Sequence, residues 1–342
     1  MGRRIAVHRP RFERLPTWMT VVAAGAALAL VIALIAWGAT SSVSTFYTIM
    51  TTPPAVGTSF IAPDISKAHR SLDDDSLDDD QRHATAYLAA QPATYWLTPE
   101  QDPVGQAGDT VGALAAQARE EGAAFAVAVY GLPGRDCGNH SAGGLSEAGY
   151  RTWVEEIGLA LRNAQDVQKV VILEPDSLAL APECGNLDER TVQLREAVSA
   201  LQAPGAWIYL DGGHSGWLDA QQMAGLISAI DVAGSVRGFA TNVSNYRSVA
   251  DEFAYAHEVA SYLDGMHAIV DTSRSGAATA GEEWCNPPAQ TVGEPSGTRG
   301  DEVVDANLWI KPPGESDGPC NGGPAAGVWW PDAAVSLTDG VR

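Results

Sequence analysis

The chain has 342 residues, with 42 acidic against 21 basic side chains and a formal net charge of −21. That length holds one large α/β domain or two smaller ones. The charge repels polyanions, so nucleic acid is excluded and a neutral or cationic partner is favoured.

In chain order, Arg3, Arg4, Arg9, Arg11 and Arg14 precede the uncharged run Trp18–Trp37, and no charge returns until Asp64. At about 1.5 Å per residue, that run matches the roughly 30 Å hydrocarbon layer of a bilayer. The arginines hold the amino end inside, so everything beyond is exported. Two readings stay open for residues 1–40: an uncleaved signal anchor crossing the membrane at 18–37, or a signal peptide cut near Ala36-Trp-Gly38. Either places the protein outside the cell or on its surface. Residues 41–83, rich in Ser, Thr, Pro and Asp, read as an acidic, disordered extracytoplasmic linker. Its near-repeat, Ser71-Leu-Asp-Asp-Asp75 and Ser76-Leu-Asp-Asp-Asp80, lacks the turn glycine and ligand spacing of a calcium loop.

From 84 to 342 one grammar repeats. Short apolar runs at 124–130, 169–173, 206–210, 236–240, 266–270 and 304–310 turn polar only at their carboxyl ends. Such runs read as buried parallel strands. Amphipathic stretches at 107–121, 145–165, 188–203, 219–231 and 247–264 read as helices between them. Alternation predicts an α/β domain with a parallel sheet and helices outside. Its ligand cleft lies beyond the carboxyl ends of the strands.

The cleft candidates are mostly carboxylates: Asp136, Glu174, Asp176, Asp211, Asp271, Glu315 and Asp317. The Ser nucleophile elbow, the dinucleotide fingerprint and the P-loop are absent. Histidines are too scattered for a zinc site, so neither metal nor cofactor is expected. The four cysteines, Cys137, Cys184, Cys285 and Cys320, all follow the export segment and match no zinc spacing. In an oxidising compartment they form two disulfides, and pairing in sequence order joins Cys137 to Cys184 and Cys285 to Cys320. Many carboxylates with exposed-loop tryptophans (Trp96, Trp217, Trp284) point to acid/base hydrolysis of sugars. Trp309 is assigned to the core.

The motifs Arg135-Asp-Cys137, Glu174-Pro-Asp-Ser-Leu178, Leu210-Asp-Gly-Gly-His-Ser-Gly-Trp217, Thr241-Asn-Val-Ser-Asn-Tyr246, Asp271-Thr-Ser-Arg274, Trp284-Cys-Asn-Pro287 and Trp309–Gly318 occur in that order. Together they resemble glycoside hydrolase family 6, the inverting β-1,4-glucanases comprising endoglucanases and cellobiohydrolases. The resemblance implies a distorted, incompletely closed parallel β/α barrel, TIM-like, with its site at the carboxyl ends of the strands. It implies Asp176 as general acid, Asp136 as the aspartate that tunes it and helps the attacking water, Asp317 as the proposed base and Asp211 as a support. It implies sugar contacts from Tyr130, Trp96, His214, Trp217, Asn242, Trp284, Lys311 and Glu315, and the same two disulfides. One departure is Ala142, where the family often has a serine that holds the water; Ser141 is adjacent. The short intervals Cys137–Cys184 and Cys285–Cys320 leave little chain to roof the cleft. The expected protein is therefore a monomeric endo-β-1,4-glucanase acting on cellulose or soluble β-glucan. A cellobiohydrolase of the same family and an inactive glucan-binding protein are the alternatives.

Overall fold

Strand side chains alternate between two apolar layers, which is why the strands read as unbroken hydrophobic runs. The computed structural model describes residues 51–139, 141, 143–277 and 283–341. Seven strands pair in chain order, all parallel. They are β1 (Tyr95–Leu97), β2 (Phe125–Val129), β3 (Lys169–Leu173), β4 (Ala206–Asp211), β5 (Gly238–Thr241), β6 (His267–Asp271) and β7 (Val304–Leu308). The connecting helices are α3 (Ala107–Glu121), α4 (Glu147–Asn163), α5 (Ser177–Cys184), α6 (Leu187–Leu201), α7 (Ala220–Ile230) and α8 (Val249–Ser261). Ala126, Ala128, Val170, Ile172, Tyr209 and Ile269 fill the interior of the curled sheet. Their neighbours Phe125, Val127, Val129, Val171, Leu173 and Phe239 pack outward against the helices. Burying one such side chain is worth about 1.5–3 kcal/mol.

The barrel does not close. β1 and β7 are the sheet's edges and share no ladder. Two hydrogen bonds stitch the seam: Thr94 N–H to Trp309 O at 2.8 Å, and the Trp96 indole N–H to Ile310 O at 2.7 Å. Helices α1 (Lys67–Arg70), α2 (Asp79–Ala89) and α9 (Pro331–Leu337) cover this side. There Ala68, Ala84, Leu88, Ala334 and Leu337 cluster with Trp309, a core residue as expected at 1% exposure.

The described part of the expected linker, 51–83, is ordered chain packed on the barrel. Phe60 pairs with Ala124 beside β2, and Ile61 is buried at 1% exposure. The acidic repeat starts a helix. Asp78 caps α2 by accepting from Gln81 N–H at 2.8 Å, while the Gln81 side chain accepts from Asp78 N–H at 3.1 Å. Asp79 and Asp80 occupy the first turn, where negative charge meets the helix's positive end. A boundary at residue 84 would cut this helix. The run 18–37, with its anchor-or-signal reading, lies outside the described residues. Among those described, no helix is long and apolar enough to cross a membrane.

Candidate active site

A cleft of about 490 Å³ lies at the carboxyl ends of the strands. Asp136, Asp176 and Asp317, from the ends of β2, β3 and β7, line it together. Trp96, Tyr130, His214, Trp217, Trp284 and Lys311 form its walls. The Trp96 and Tyr130 rings meet edge-on at 5.2 Å, and the Lys311 ammonium lies 5.4 Å from the Trp96 ring centre.

Asp176 follows β3 in a left-handed conformation, φ 67°, one residue beyond Pro175. Its backbone N–H donates to Asp211 Oδ1 at 3.1 Å, and Gly213 N–H donates to the same oxygen at 3.1 Å. Asp211 is 1% exposed and supports this turn from below without lining the cleft. Burial, then the negative charges of Asp211, Asp136 and Asp317, hold the Asp176 carboxyl well above the usual carboxylate range, with Lys311 opposing. Such a carboxyl keeps its proton and can donate it.

Asp136 also has positive φ, 55°. The Tyr130 hydroxyl donates to its Oδ2. Burial raises its pKa, while the Tyr130 hydrogen bond and the nearby Arg135 and Arg190 guanidinium groups pull it down. Arg190 holds the loop, donating to Pro133 O at 2.7 Å and Gly134 O at 2.9 Å. Asp317 sits in a buried ion pair. Arg274 Nη1 reaches its two oxygens at 2.8 and 2.9 Å, the Tyr246 hydroxyl donates at 2.8 Å and Asn286 N–H at 3.0 Å. His214 accepts from Gly216 N–H through Nδ1 at 3.1 Å, which leaves the ring proton on Nε2. Burial, then Arg247, lowers its pKa to about 4, so the ring is neutral.

Two expected sugar contacts do not reach the cleft. Asn242 is 0% exposed. Its amide donates to Asp271 O at 2.8 Å and Ser275 Oγ at 3.0 Å and accepts from Arg247 N–H at 3.1 Å. It shapes the turn after β5. Glu315 pairs with Lys67 at 2.9 Å and faces a separate small cavity behind Trp96. Of the candidate carboxylates, Glu174 and Asp271 are also structural. Glu174 accepts from Gly131 and Leu132 N–H, and Asp271 from Ser273, Ile310 and Lys311 N–H. Tyr246, Arg247, Glu183 and Glu283 line the cleft without having been singled out. Tyr246 closes the Thr241–Tyr246 motif, and the sequence signal of the other three is their place near a strand end or a cysteine. Ala142 lies outside the described residues.

The bonds Cys137–Cys184 and Cys285–Cys320 pair as expected. Cys137 follows Asp136, Cys184 follows Glu183, and Cys285 follows Trp284, so both tie down cleft residues. Among the described residues no cluster could hold a metal ion.

Fold and site together define an incompletely closed parallel α/β barrel with an acidic, aromatic-walled cleft at its strand ends. Glycosyl hydrolases family 6 matches residues 56–340, and the chain belongs to that family. It is 39% identical to Endoglucanase A of Cellulomonas fimi over 262 residues, 75% of this chain and 56% of the relative. It is also 39% identical to Endoglucanase A of Thermobispora bispora over 73% of this chain and 55% of that one. The chain thus spans about half the length of these curated relatives. The endoglucanase Cel6 of Mycobacterium tuberculosis, solved with a thio-linked cellobioside ligand, superposes with TM-score 0.75. Its identity is 34%, covering 83% of this chain and 97% of that one. A cellobiohydrolase Cel6A of Humicola insolens reaches TM-score 0.70 at 26% identity, covering 82% and 95%.

Proposed function

We propose that the chain is an exported endo-β-1,4-glucanase that hydrolyses internal bonds of cellulose or soluble β-glucan with inversion. The supporting observation is the cleft itself, where a proton-holding Asp176 shares one cavity with Asp136, Asp317 and stacking aromatics. Asp176 protonates the glycosidic oxygen. A water attacks the opposite face of the sugar, in the space of roughly 6.5–9.5 Å that inverting carboxylates leave between them. Asp136 orients that water and keeps Asp176 protonated by repulsion. Asp317 acts on it through an intervening water rather than by contact, because Arg274, Tyr246 and Asn286 already occupy its oxygens. Tyr130, Trp96 and Lys311 hold the sugar on one side, and His214, Trp217 and Trp284 hold it on the other. Asp211 fixes the Asp176 turn. Short inter-cysteine segments and a Trp284 that is 43% exposed favour an open cleft and internal cleavage.

The test is carboxymethyl cellulose digested by the wild type and by Asp176→Ala, with viscosity and reducing ends followed together. Early viscosity loss in the wild type, abolished in the variant, is expected. Reducing ends without viscosity loss would instead mark a cellobiohydrolase. Equal rates for the two proteins would remove Asp176 as the acid. Glucan binding without hydrolysis would leave a binding protein.

A further inference from the structure

Glu252, on α8, is a carboxyl at 0% exposure whose hydrogen-bond partner among the described residues is Ser215, not one of the proposed catalytic aspartates. It faces the loop after β4. Its Oε1 accepts from Ser215 N–H at 2.9 Å. Arg247 presses on that loop at the next residue. A Cβ added to Gly216 would lie 3.0 Å from the Arg247 guanidinium carbon, so the guanidinium end must shift by a few tenths of an ångström to admit one. The loop residues so gripped are flanked by the cleft residues His214 and Trp217, whose rings stand 5.6 Å apart and tilted by 41°. Gly216 N–H, donating to His214 Nδ1, assigns the imidazole proton to Nε2. A carboxyl is expensive to bury. An apolar residue of similar volume would fill the space but leave Ser215 N–H without its acceptor.

We propose that Glu252 is a positioning residue: by anchoring Ser215 N–H, it holds Gly216 against His214 Nδ1 and presents His214 Nε2–H as a donor to the sugar. Its anchoring acts on ligand binding through one loop, whereas Asp211 acts on the acid. The affinity consequence rests on the glucanase reading; the tautomer consequence does not.

The experiment is nitrogen-15 histidine NMR on wild type, Glu252→Gln and Glu252→Met, with His214 assigned by its loss in His214→Asn. Wild type and Glu252→Gln, which keeps an acceptor oxygen, should show His214 protonated on Nε2. Glu252→Met should show a mixture of tautomers. For soluble β-glucan, KM should rise about five- to tenfold in Glu252→Met with kcat within about twofold, as for loss of one uniform binding contact. Glu252→Gln should restore it. If Glu252→Met does not fold, Gly216→Ala disturbs the same hydrogen bond from the Arg247 side and must give the same tautomer mixture. An unchanged His214 signature in the folded variant overturns the proposal, whatever the activity. An altered signature without a KM change overturns the binding role of His214 and leaves the anchoring intact.

Discussion

At the residue scale, the cleft depends on side chains held in backbone conformations that L-residues rarely adopt. Asp136, Glu174, Asp176, Asn242, Ser244 and Asn286 all have positive φ, between 48° and 67°. Such strain persists only where the surroundings over-determine it, and it gathers at functional sites. Composition and spacing do not reveal it. The residue pattern gives the carboxylates as a set and the family resemblance singles out Asp136, Asp176 and Asp317, with Asp211 as a support, while the removal of Glu315 from the cleft shows only in its pairing with Lys67. By residue type alone Glu174, two residues before Asp176, is an equal candidate; the family motif favours Asp176, and the bonds from Gly131 and Leu132 N–H mark Glu174 as structural. Asp176→Asn should lower kcat on unactivated glucan by about 10²–10⁴-fold. Aryl cellobiosides with acidic leaving groups, which need no proton, should lose far less in the same assay. The sign of the pH effect follows from the charges. As the proposed acid Asp176 has to keep its proton, and the negative charge of Asp211 raises its pKa. Asp211→Asn should therefore move the alkaline limb of kcat/KM to lower pH, with the limb belonging to the coupled carboxyls as a set.

At the scale of elements, helix 107–121 was legible to the residue, because a clean apolar stripe ends at Gly122, φ 65°. The β3 run was equally clear. Strand β1 escaped because three residues give no period, and α2 because its acidic start resembles a solvated tail. The capping pair Asp78 and Gln81 was the available signal. Trp96 belongs to both fold and site, since its indole N–H spans the open seam to Ile310 O while its ring lines the cleft. Trp96→Phe should lower stability by about 1–3 kcal/mol in urea titration, through the Ile310 carbonyl left unpaired. It should weaken glucan binding as well. The double replacement Cys137→Ser and Cys184→Ser should remove about 2–4 kcal/mol. It should also lower kcat under conditions where the protein remains folded, because the bond fixes the residue after Asp136.

At the scale of the whole molecule, the barrel concentrates buried carboxyls in one end of one sheet, and that arrangement sets how stability varies with pH. Burial lifts Glu174 to about 7 despite the two backbone N–H groups it accepts. An unfolded glutamate ionises near about 4.3, so between that value and 7 the unfolded chain has lost a proton that the folded chain keeps. Stability from this group therefore falls as pH rises through the window. Glu174→Gln should flatten the decline seen by urea denaturation between about pH 4 and 7. An open edge, acidic strand ends and two loop-locking disulfides all converge on one cleft, and the reaction proposed for it has a stereochemical signature. Proton NMR of the first products from cellohexaose, recorded before mutarotation, reads that signature directly. The account predicts that the new reducing end appears first as the α-anomer; a β-anomer appearing first would contradict it.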